Sequence, residues 1–172
     1  MTTNIYEAAG TPKVWKSTGG DGLLTFTSVA NAAGRVGQRV DLGALPRPTT
    51  FRWYAESQFQ ASGLAIGLTC DVYLAWWNDD TLALGNTAGE PDGVVSASDS
   101  AISSANALYN LHRLGSMTVD STSGATTFAK SGEVWIPVRY VSPVWWNATG
   151  ATASATATVF NFTLTPIYPQ SQ

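Results

Sequence analysis

The chain has 172 residues, 12% of them charged, a formal net charge of −3 and a single cysteine. A chain of this length buries about 70% of its unfolded surface in one domain without metal or disulfide, and so few Lys and Arg leave no electrostatic footprint for a phosphate backbone, which argues against nucleic acid as a partner. Low charge beside seven Trp, six Tyr and six Phe predicts a surface that another protein partly covers.

Residues 1–13 are mixed and polar and end in Thr11-Pro12, which reads as an extended N-terminal arm. The first residues have neither a basic segment nor an apolar core of the secretory kind. No segment approaches the run of about 18 apolar residues that spans a membrane. Synthesis in a cytoplasm and no membrane contact are therefore expected, and the sequons at Asn147 and Asn161 carry no weight. The domain proper is expected over 14–168, with 169–172 as a tail. A first strand is predicted at Val14-Trp15-Lys16. After the turn signal Gly19-Gly20-Asp21-Gly22, the segments Leu23–Ala30 and Arg35–Leu42 read as a hairpin with one solvated side.

Pro46-Arg47-Pro48 breaks the chain before Thr49–Gln58, where Phe51, Trp53 and Ala55 alternate with Arg52, Tyr54 and Glu56. The longest pattern follows, from Leu64 to Trp77. Its even positions (Leu64, Ile66, Leu68, Cys70, Val72, Leu74, Trp76) are apolar and predict a buried face, with Cys70 a small core residue; its odd positions, ending in Ala75 and Trp77, predict a paler, partly wet one. At a rise of about 3.3 Å per residue the stretch would run about 45 Å, so a bend or break near Gly67 or Asp71 is expected. Residues 78–93 read as a long loop. Its Asp79, Asp80, Glu90 and Asp92 are of a type that holds calcium, but their spacing matches no EF-hand and acidic turn residues are the favoured reading.

Ser98–Leu108 is the one plausible helix, with Ser98 or Asp99 as its cap. Strands are predicted at Leu111–Val119, Thr126–Lys130 and Val134–Tyr140, with turns at Asp120–Gly124 and Ser131-Gly132-Glu133. A tight loop around Pro143-Val144-Trp145-Trp146-Asn147 then leads to a last strand over Ala151–Ile167, followed by a non-strand tail. Eight to ten strands at such spacings predict an all-β, single-domain antiparallel β-sandwich, jelly-roll-like, with at most one short helix near 98–109.

Chemistry-bearing patterns are scarce. The one histidine, His112, falls in a predicted strand with no Cys or carboxylate at motif spacing, and there is no nucleophile elbow, phosphate loop or His/Cys metal pattern. No enzyme activity and no cofactor are expected. Two Trp pairs remain, Trp76-Trp77 and Trp145-Trp146. Neighbours on a strand face opposite ways, so one of each pair can enter the core while the other meets a partner. Trp76 is expected in the core, and Trp77 and Trp146 on a contact surface.

Several stretches resemble small virion proteins of tailed bacteriophages: Val14–Asp21, Gly34–Gly43, Val72–Asn78, Pro91–Val95, and Leu114–Val119 with Pro137–Tyr140. The resemblance implies a capsid decoration, or cement, protein on the outer surface of the virion head. Its implied partners are the phage major capsid protein and further copies of itself, a trimer being favoured. The partner-binding residues expected on this reading are Tyr6 in the arm, Trp77, Trp145, Trp146, and Tyr168 near the tail, with arm and tail ordering on binding. The alternative is a tail- or fibre-associated lectin-like module that holds host glycan through exposed Trp.

Overall fold

Alternation of apolar and polar residues sets the first layer. The computed structural model describes residues 5–77, 98–124 and 126–171, with backbone alone for 5, 6, 170 and 171. In β6 (Thr50–Gln58), Phe51, Trp53, Ala55 and Ser57 are buried, while Thr50, Arg52 and Tyr54 are exposed. This strand lies between β10 (Thr127–Trp135) and β12 (Asn161–Ser171), and β2 (Lys13–Lys16) pairs with the far side of β12. The sheet is completed by β3 (Gly22–Leu23), parallel to β2, and by β1 (Ile5–Ala9), antiparallel to the end of β12.

The second sheet has the order β8-β4-β11-β7-β9, made of Ser100–Ile102, Ala33–Val36, Tyr140–Ala148, Thr69–Trp77 and His112–Thr118, with β5 (Val40–Asp41) also on β11. Eight strands thus alternate between sheets as β2-β12-β6-β10 against β4-β11-β7-β9, and each link between consecutive ones crosses the sandwich except β7 to β9. That is the double Greek-key order of a jelly roll. The all-β sandwich expected from the sequence is the fold observed.

Two cores follow from this layering. Between the sheets lie Trp15, Phe26, Trp53, Phe59, Cys70, Val72, Leu74, Trp145, Phe160 and Phe162 among others. Phe26 sits edge-on to Phe59, Phe160 and Trp145 at centroid distances of 6.4, 5.5 and 5.1 Å. A second core lies on the outer side of the β7–β11 sheet, where Ala75, Trp77, Val144 and Trp146 are covered by Ile102, Ala107 and Leu108. The covering segment is β8 and a short 3-10 helix, Ala105–Leu108, capped by Ser104. Asp99 fastens it: its carboxylate accepts from Arg35 Nε at 2.6 Å and Nη2 at 3.0 Å and from the Thr25 N–H at 3.2 Å.

Several expectations are corrected. The long strand begins only at Thr69; Leu64 is buried, but Ile66 and Leu68 are exposed, because the chain turns through Gly63 and Gly67 at φ of +85° and +88°. Leu23–Ala30 and Arg35–Leu42 do not form a hairpin, since β3 and β4 belong to different sheets. Ser131-Gly132-Glu133 is strand interior, and the predicted loop at 143–147 is the middle of β11, whereas 151–160 is loop with a 3-10 turn at Ala157–Val159. Pro143 is tolerated in this central strand because its carbonyl, which accepts from Gly37 N at 2.8 Å, and hence its missing N–H, face the gap between β4 and β5. Ile5–Ala9 of the expected arm pairs with Ile167–Ser171, which runs into the expected tail, so most of the described part of each is strand. The loop at 78–93, with the four acidic residues weighed for calcium, lies outside the described residues.

Candidate contact surface

Strand ends gather at two poles of the sandwich, and they differ in what they expose. One pole holds the links 42–49 and 136–139, the ends of β7 and β10, and the β1–β12 ribbon; the other holds the links 59–68, 119–124 and 149–160. At the first pole Leu45 is 71% exposed, Trp135 62% and Tyr168 43%. Pro46, Pro48 and Pro169 lie among them.

The first pole is exposed yet rigidly held. Arg47 donates from Nη1 to the carbonyls of Pro48 (2.8 Å) and Ile136 (3.3 Å), and from Nη2 to that of Val138, so one guanidinium ties the 42–49 link to the 136–139 link. Burial lowers its pKa from the ordinary arginine value, with Asp41 opposing the shift. Arg139 grips Asp41 through Nε at 2.9 Å and Nη2 at 2.7 Å, and Asp41 Oδ1 also accepts from the Gly43 N–H at 2.8 Å. The Arg139 hydrogen bond is the chief reason the Asp41 carboxyl titrates below its ordinary value. Arg39 and Arg139 both lie over the Tyr140 ring, 5.2 and 5.1 Å from its centroid.

Two hollows open on either side of Arg47. One, of about 270 Å³, is walled by Pro46, Pro48, Tyr168 and Pro169. The other, of about 280 Å³, runs along Gly43, Leu45, Pro137, Val138 and Arg139. Small-molecule sites are usually enclosed clefts of about 300–1,000 Å³ with a few convergent polar groups. Here the walls are mostly proline and aliphatic with Tyr168 and Arg139 beside them, and the Nη1 and Nη2 donors of Arg47 already engage carbonyls. Such a surface suits apolar contact better than chemistry.

The five residues expected to meet a partner are placed very differently. Tyr168 lies on this surface. Tyr6 pairs with Gln170 through the backbone at the same pole, and its side chain lies outside the described residues. Trp145 is fully buried between the sheets, and Trp77 (0% exposed) and Trp146 (9%) are sealed in the second core. The expectation that strand neighbours split between core and solvent fails for these three because β7 and β11 are covered on both faces. Trp76, expected in the core, is half-buried at its rim and stacks on the exposed His112 at 4.8 Å and 27°. Leu45 and Trp135 went unnoticed in the sequence. The signals were Trp135 lying out of phase with Val134 and Ile136, and an isolated Leu before Pro46-Arg47-Pro48. No protein-family model, curated protein or solved structure matches the chain.

Proposed function

We propose that this chain is a structural protein of a tailed-phage virion that binds the outer capsid surface as a decoration protein and stabilises the head. The observation that carries the reading is the first pole: Leu45, Trp135 and Tyr168 exposed together with Pro46 and Pro169, beside links that Arg47 and Arg139 hold in place. Preformed apolar contacts of this kind lose little entropy on docking. Jelly rolls serve as capsid, lectin and cupin domains, so the fold alone does not choose among them. Cementing needs no catalytic group. Many copies each bury area across a junction between subunits of the major capsid protein, and their contacts sum. Self-association, with a trimer favoured, would repeat the contact around a symmetry axis.

A lectin-like module is the second reading, favoured by one observation: Trp135 stands on the outer sheet face with the partly exposed Tyr54 on the neighbouring strand. The test mixes purified protein with capsids lacking it, pellets the particles and counts bound copies. Saturation at an integer number per lattice unit is expected. Absence of binding overturns the proposal, and glycan-array binding abolished by Trp135→Ala would establish the lectin instead.

A further inference from the structure

We propose that β1 exchanges between copies of this chain, the arm of one copy pairing with the end of β12 of another. The inference needs only two copies and does not rest on the capsid reading. β1 pairs with Ile167–Ser171 and, among the described residues, is hydrogen-bonded to no other strand. Of its described side chains, Glu7 and Ala9 are exposed and Ala8 is half-buried, and none joins either core. Its ion pair, Glu7 to Arg52 at 3.1 Å, has both side chains more than half exposed, a class of contact that contributes about 0–1 kcal/mol. β1 is thus held chiefly by the backbone bonds of a two-stranded ribbon, and such ribbons are marginal on their own.

The connection to β2 has slack for a change of direction. Ala9 lies opposite Ile167 and Lys13 opposite Leu164, so the arm carries one more residue than β12 between the same two rungs. The link is Gly10-Thr11-Pro12. Gly10 is pressed against Tyr168, where a Cβ would lie 2.5 Å from the ring. It joins the strands with no side chain of its own to anchor them.

The seat is also specific. Gly10 N donates to Pro166 O at 2.8 Å, so Pro166, Tyr168 and Gln170 turn their backbone groups toward β1, and Ile167, Pro169 and Ser171 turn theirs away. Pro169 has no N–H to offer on that outward edge, which blunts it against an added strand. An incoming strand is directed to the side where β1 now lies, and the sequence that fits there is β1 itself. Closed and exchanged forms make the same rungs, so concentration and placement decide between them.

The test uses the full chain with Ala9→Cys, Ile167→Cys, and the double variant; the two positions face each other in a non-hydrogen-bonded pair. Cys70 is wholly buried and its thiol is pushed up by desolvation, so it stays out of exchange once the chain is folded. The single variants are unfolded together under reducing conditions, refolded at high concentration and then oxidised. A disulfide-linked heterodimer whose yield rises with protein concentration is expected. If the double variant closes within one chain, proving the geometry competent, and the mixture gives no heterodimer at any concentration up to the solubility limit, the proposal is overturned. Should the double variant not fold, light scattering on the unmodified chain decides. A species of twice the 18.2 kDa mass that deletion of residues 1–9 abolishes supports exchange, and a monomer at every concentration refutes it.

Discussion

Removing the Asp99 carboxylate should release the cover over the second core. Asp99 is 9% exposed at its side chain and Arg35 26%, and the pair is bidentate, with the Thr25 N–H as a third donor. Hydrogen bonds to a charged group contribute about 1.5–3 kcal/mol each before desolvation is counted, and losing one partner of a buried pair costs about 3–5 kcal/mol. Arg35 can rehydrate in part, so Asp99→Asn should lower stability by about 2–3 kcal/mol at neutral pH. Burial alone would raise the Asp99 pKa, but the Arg35 and Thr25 hydrogen bonds outweigh it and leave the pKa lowered. A lowered folded pKa means stability that is complete above the unfolded value of about 3.9 and is lost as pH falls through the folded one. Urea unfolding of both chains, followed by tryptophan fluorescence from pH 7 downward, should show a constant gap that closes below about pH 4. Hydrogen exchange should accelerate first in residues 99–111. A gap under about 0.5 kcal/mol at pH 7, or one that widens on acidification, would refute the reasoning.

Gly132→Ala would place a Cβ 2.8 Å from Trp53 Nε1, whereas Gly115→Ala meets the same ring at 3.3 Å; overpacking of about 1–3 kcal/mol is expected at Gly132 and less at Gly115, read from urea midpoints. Trp77→Ala should cost about 3–5 kcal/mol, in keeping with a wholly buried ring, and a surface-like loss near zero would mean the second core is not formed. Leu45→Asp and Trp135→Ser should leave stability within about 0.5 kcal/mol yet reduce capsid affinity tenfold or more in the pelleting assay; unaltered binding by both would move the contact away from this pole. Capsid affinity should also vary little with salt, measured by the same assay across added sodium chloride, because the contact is apolar; a steep loss would implicate charged groups.

The strands legible in the sequence were those with one dry and one wet face. β6 was read to within a residue because Arg52 and Tyr54 really do face solvent. β11 and the end of β7 misled because both their faces are dry there: Trp77 and Trp146 carry the second core on what a period of two presents as an outer side. Glycine and proline misled for a related reason. Gly132 marks no turn but the close passage of the Trp53 indole, and Pro143 marks no loop but a gap in the neighbouring strand. The contact pole was only partly legible. Tyr168 was singled out, but the exposure of Leu45 and Trp135 depends on which strand ends share a pole, and that is set by topology rather than local pattern.

Charge placement connects these features. Asp21, Asp41, Asp71 and Asp99 pair with Lys13, Arg139, Arg113 and Arg35, and Glu7 and Glu133 share Arg52, so among the described residues most Asp and Glu side chains sit within 4 Å of a cation. Such pairs add little stability where exposed, but they cancel the field that would otherwise steer or repel a partner at a distance. Asp41 with Arg139 does this beside the first pole, and Arg52 offsets one of the two carboxylates, Glu7 and Glu133, that flank it on the outer sheet face next to the β1–β12 ribbon. What these segments offer a neighbour at close range is therefore mostly shape and apolar area. A surface of that kind associates through many short-range contacts made at once rather than through attraction at a distance.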